Sequence, residues 1–143
     1  MSNMPTFGNA SLHMSNMYRS VGTETALNGA GPHRLVAMLF EGLMESMTQA
    51  RGAMRAGEIE MKGKAIGRAV RIIEEGLRAA LDSSAGELAA DLQELYGYAT
   101  LRLTQANRHN DEAAIEECQR LLQPIKDAWD AIAVQVEPRQ LAA

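Results

Sequence analysis

Apolar residues recur at helical spacing in four long stretches of this chain. The first runs from Pro32 to about Arg55, where Leu35, Val36, Leu39, Phe40, Leu43, Met44, Met47, Ala50 and Met54 form one stripe and Met38 extends it past Gly42. Projected at about 100° per residue, the stripe spans roughly 240°, far more than an ordinary surface helix needs. This helix is therefore expected to be covered on two sides. Pro32 suits a first helical turn, where a missing N–H costs nothing, and Gly57 is a natural stop with Arg55 in the last turn.

The second helix is expected over about Glu58 to Leu81, burying Ile59, Ile66, Val70, Ile73, Leu77 and Leu81. Beside that stripe runs a second one of mostly small residues: Ala65, Ala69, Ile72, Gly76 and Ala79. Glycine inside a helix costs roughly 1 kcal/mol relative to alanine. Gly63, Gly67 and Gly76 therefore point to the close approach of another backbone.

After a turn at Asp82–Gly86, the third helix carries a core face of Leu88, Leu92, Leu95, Tyr96, Ala99, Leu103 and Ala106. Tyr98 and Leu101 lie across it, where a solvent-facing helix is normally polar. With the small-residue strip of the preceding helix they are expected to form a groove. Asn107, Asn110 and Asp111 make a polar corner, with Asn110 or Asp111 capping the next helix. The fourth helix is expected to run to about Val134 on a single stripe of Ala114, Ile115, Cys118, Leu121, Leu122, Ile125, Trp129 and Ile132, with Pro124 projecting away from it. The architecture is all-α: an antiparallel four-helix bundle preceded by a short N-terminal helix or arm around Met14, Met17 and Tyr18. Residues 1–14 read as a disordered tail, 15–135 as one bundle domain and 136–143 as a fraying tail.

Composition narrows the partners. Fourteen Lys plus Arg against eighteen Asp plus Glu leave a net charge of −4, which argues against nucleic acid or an anionic membrane surface. No apolar run is long enough to insert into a membrane. A single cysteine, Cys118, excludes an intrachain disulfide and suits a reducing compartment, so the protein is expected in the cytoplasm. Nine methionines fit either loose core filling or a surface that adapts to a partner.

Catalytic constellations do not assemble. His13, His33 and His109 stand in the arm, a first helical turn and the corner, with no paired Glu-x-x-His motif and no phosphate loop. Cys118 falls on a core stripe. The chain is expected to be no enzyme and to use no cofactor or metal.

Four blocks of sequence carry a family resemblance. They are Tyr18 with Val21, Glu24 and Ala26; Pro32-His33-x-Leu35 leading to Leu39-Phe40-Glu41-Gly42; Ala69, Ile72, Ile73 and Leu77; and Gly86-Glu87-x-Ala89 continuing through Leu95-Tyr96-x-Tyr98 to Ala106-Asn107-x-x-Asn110-Asp111. Ala128-Trp129 closes the pattern. Over about Tyr18 to Ile132 the chain resembles FliS, the family of flagellin export chaperones. Two departures stand out: Ala30-Gly31-Pro32 replaces the family's usual Ala-Ser-Pro, losing a capping hydroxyl, and Gly76 occupies a position where glutamate is common.

The resemblance implies a cytosolic chaperone that holds the C-terminal segment of flagellin in hydrophobic grooves, preventing premature polymerisation and keeping it secretion-competent, with the flagellar export gate as a further partner. The expected groove residues are Ala65, Ala69, Ile72, Gly76, Tyr98, Leu101, Phe40 and Met44. Met14, Met17 and Tyr18 are expected to contact the partner from an arm that covers the groove in the free protein, a monomer or weak dimer. The competing reading is a generic helical adaptor or homodimer whose apolar strip faces a second copy. A bundle enzyme or phosphorelay protein is a more distant rival.

Overall fold

The computed structural model describes residues 31–82 and 84–142; the N-terminal arm and its Met14, Met17 and Tyr18 lie outside them. Four helices follow one another: α1 (Pro32–Ala56), α2 (Ile59–Arg71, prolonged by a π-helical stretch Ile72–Arg78), α3 (Glu87–His109) and α4 (Glu112–Ala142). Each packs against the next and α4 returns to α1, closing a ring. Short connections make neighbours antiparallel, as expected for a bundle. No strand occurs among the described residues.

Both ends of α1 follow from local chemistry. Gly31 in extended conformation precedes Pro32 and offers no side-chain cap, as the missing hydroxyl implied. His33 takes over the anchoring. Its Nε2 lies 2.7 Å from the carbonyl of Trp129, so this nitrogen carries the proton, and Trp129 Nε1 donates in return to the His33 carbonyl at 2.9 Å. The two rings stack with centroids 4.5 Å apart. At the other end Gly57 adopts φ 72°, the left-handed region in which a Cβ is disfavoured, and its N–H bonds back to Met54.

One continuous core fills the ring, led by Phe40, Leu43, Met47, Ile73, Leu77, Tyr96, Leu103, Ile115, Leu122 and Trp129. Each such side chain contributes about 1.5–3 kcal/mol relative to exposure. Cys118 is wholly buried, and burial pushes its thiol up to about 11, so it remains a neutral thiol among apolar neighbours.

Several expectations are corrected. Ile59, placed in the core stripe, is 75% exposed because it opens α2 before the helix meets its neighbours; Lys62, one turn later, is buried instead. Leu88 and Leu121 sit at the edges of their stripes and are partly exposed, as is Met38. The second helix is not α-helical throughout. The Ala79 amide reaches back five residues to the Glu74 carbonyl, and Ile73, Leu77 and Leu81 face the core at four-residue spacing, as a wider turn requires. The fourth helix continues to Ala142 instead of ending near Val134.

The polar corner is structural in three separate ways. Asn110 takes the left-handed conformation that ends α3 (φ 53°), Asp111 Oδ1 accepts the Ala113 N–H that opens α4, and the Lys62 ammonium binds the Asn107 carbonyl and Asn110 Oδ1, both at 3.1 Å. Asp111→Ala should therefore cost about 1 kcal/mol, measured as a lower denaturation midpoint with unchanged slope.

Candidate partner-binding faces

Three of the residues assigned to a groove from the sequence are buried. Ala69 is 0% exposed and Ala65 is buried, so neither lines a surface; both pack in the core, as does Phe40. Gly76 and Ile72 face α1. A Cβ on Gly76 would meet the Leu39 side chain at 3.0 Å, and one on Gly42 would meet Ile72 at 3.3 Å. The expected close approach of another backbone is found at none of the three glycines: Gly76 meets the Leu39 side chain, Gly67 only the Arg71 guanidinium at 3.7 Å, and a Cβ on Gly63 would meet nothing within 4 Å. A helical projection shows which residues are small or apolar without saying which neighbour they meet.

Between α2 and α3 the surface is polar. Arg78 lies over Gly97, donates to Gln93 at 2.9 Å and pairs with Glu74 at 3.0 Å, while Thr100 donates to the same Glu74 carboxylate at 2.7 Å. Between α1 and α4 the seam is also polar, with Arg51 bound to Glu112, Gln119 and Glu116 at 2.7–2.9 Å and Arg55 joining Glu112. These pairs are partly solvated, so they fix register more than they stabilise.

Exposed apolar residues lie on the other two sides of the ring, although the α1–α2 side is also crossed by Arg68, which donates to Glu45 at 3.1 Å and to Ser46 at 3.0 Å. On the α3–α4 side, Tyr98 (41% exposed) leans toward α4 and Cys118 meets the Ala99 carbonyl. That antiparallel register sets Leu95 level with Leu121–Leu122 and Leu88 level with Ala128–Trp129. Leu88, Tyr98 and Leu121 are exposed, and Leu95, Ile125 and Ala128 half-buried, along one strip. On the opposite, α1–α2 side, exposed Met38 stands on the same flank of α1 as half-buried Leu35 and Leu39, whose partner helix presents Ile72. Met44 is half-buried on the flank of α1 that turns toward α4. Leu101, 53% exposed, points outward from α3.

One polar device interrupts the α3–α4 strip. Glu117 accepts hydrogen bonds from the Tyr98 hydroxyl at 2.5 Å and from Arg102 Nε at 2.8 Å. These two donors, the hydroxyl first, hold its carboxyl below the ordinary value of 4.5, and the same bond raises the Tyr98 phenol. Among the described residues no three of the His, Cys, Asp and Glu side chains converge as metal ligands would.

The profile of the family described as flagellar protein FliS matches residues 14–136, a span that contains both apolar sides. The flagellar secretion chaperone FliS of Salmonella typhimurium is 44% identical over 117 residues, covering 81% of this chain and 87% of that protein. FliSB of Pseudomonas aeruginosa, also a flagellar secretion chaperone, is 45% identical over 117 residues, covering 81% and 92%. The Bacillus subtilis counterpart is 32% identical over 114 residues, covering 80% and 84%.

Because its folded value is depressed, Glu117 stabilises the fold above pH 4.5 and loses that contribution as pH falls through the depressed value. Carboxyl-detected NMR should place its titration midpoint below 4.5, and Tyr98→Phe should move the midpoint up toward that value.

Proposed function

Since the chain belongs to the FliS family of flagellar secretion chaperones, we propose that it binds the C-terminal segment of flagellin in the cytoplasm, as a wrapping chain held against the α3–α4 and α1–α2 sides. The distribution of exposed apolar residues supports this reading. They lie in strips on opposite sides of the ring, which one flat partner could not cover together. A flexible segment folding on contact can reach both, taking amphipathic helical turns into each strip. The polar seams between α2 and α3 and between α1 and α4 would set its register.

The protein acts by occupancy alone. Flagellin residues that would pack against other flagellin molecules are kept against the chaperone, so no covalent step or nucleotide is required, and release hands the segment on to the export gate. The homodimer reading assigns the same strips to a second copy.

Leu121→Glu tests the α3–α4 side and Met38→Glu the opposite side. Ala69→Glu is unsuitable, because it would place a charge in the core and destabilise the fold. Isothermal calorimetry with the flagellin C-terminal segment should show at least a tenfold loss for Leu121→Glu and for Met38→Glu, the effect of removing an apolar contact worth about 1.4 kcal/mol or more. Helicity should be unchanged in both. Unaltered affinity in both variants would reject these faces, and a stable dimer in sedimentation that buries Tyr98 and Leu101 would favour the second copy.

A further inference from the structure

The hairpin joining α1 to α2 and the corner joining α3 to α4 meet at one end of the bundle and form the walls of an open pocket of about 290 Å³. Its walls include Ala53, Met54, Gly57 and Ile59, and Lys62 and Asn110 also line it. Lys62 is 7% exposed, yet no carboxylate pairs with it among the described residues; its two acceptors there are the Asn107 carbonyl and the Asn110 side-chain oxygen. The carbonyl end of α3 supplies partial negative charge, which accounts for a buried ammonium at this spot. An ammonium has three donors, however, and two are used. Beside it α2 starts without a side-chain cap, leaving its first amides at the same end. The cavity therefore combines an apolar wall with a buried, incompletely neutralised positive charge.

We propose that this cavity binds the free carboxylate end of a peptide whose last residue is aliphatic. The carboxylate takes the third donor of Lys62 in a charge-assisted bond. The aliphatic side chain lies against Ala53, Met54 and the otherwise exposed Ile59. The volume stands near the lower limit for small-molecule pockets of about 300 Å³, matching one residue rather than a longer segment. Glu58 also lines the cavity, and its negative charge opposes the ligand, but it is exposed and screened. The site lies at the bundle end, apart from the two apolar sides, and does not depend on whether flagellin occupies them.

The test uses the full chain labelled with ¹⁵N and titrated with acetyl-leucine or acetyl-leucinamide. The acid should shift the amides of Gly57, Ile59, Lys62 and Asn110 saturably, with a Kd on the order of 1 mM for so small a ligand, and the amide should bind at least tenfold more weakly. Glu58→Gln should tighten the acid two- to threefold. Lys62→Met should abolish the preference for the acid; since it also loosens the corner, Ile59→Glu at an exposed position provides the cleaner arm and should eliminate saturable binding. Absence of saturable shifts, equal affinity for acid and amide, or binding unaffected by Ile59→Glu would each overturn the proposal.

Discussion

The bundle is closed by the reciprocal pairing of His33 and Trp129. Every other seam in the ring joins helices that are also linked by a short connection, but α1 and α4 are the first and last described helices and meet only through side chains. At one end of that seam stand Arg51 and Arg55 with their glutamates, which are half-solvated and individually weak. At the other end two buried rings stack and exchange two hydrogen bonds, each from a side chain to the opposite backbone. Backbone acceptors fix the axial position of both helices at once. This also explains how α1 can begin at a glycine without a capping hydroxyl.

Closing the ring determines what remains for a partner. A guanidinium–carboxylate pair lies at each of the four seams, Arg102–Glu117 on the α3–α4 side and Arg68–Glu45 on the α1–α2 side included, and exposed apolar residues flank the pairs on these last two sides. Glu117, Tyr98 and Arg102 form the polar landmark in the first of these. A helix laid along the strip would meet leucines above and below a fixed ion pair, which gives it a register rather than merely a greasy surface. The exposed strips consist largely of other residues than those the helical projection selected.

The long-period signals were legible because they repeat. Four amphipathic stretches, Pro32 at a first turn, Gly57 at a stop, an acidic cap at the last corner and Cys118 in the core all follow from spacing and local chemistry. What escaped lacks a periodic signature. Lys62 carries a charge and so reads as surface, but its four-carbon stem reaches a helix end that only the fold brings near. His33 looked like an ordinary first-turn residue because its partner is 96 positions away. Ala65 and Ala69 illustrate a different ambiguity: a small-residue stripe is compatible equally with a groove and with close helix packing, and both alanines are buried in the core.

The π-helical stretch from Ile72 to Arg78 has a bearing on how such a chain can change length. A wider turn of this kind is geometrically an α-helix that has absorbed one additional residue. Removing a single position there would return the segment to the regular winding while leaving Ala69 on one flank and Leu81 on the other in phase with the core. Elsewhere in these helices the loss of one residue would rotate everything beyond it by about 100° and turn the buried stripe toward water. Among helical positions, tolerance to the loss of one residue is thus concentrated in one stretch of α2.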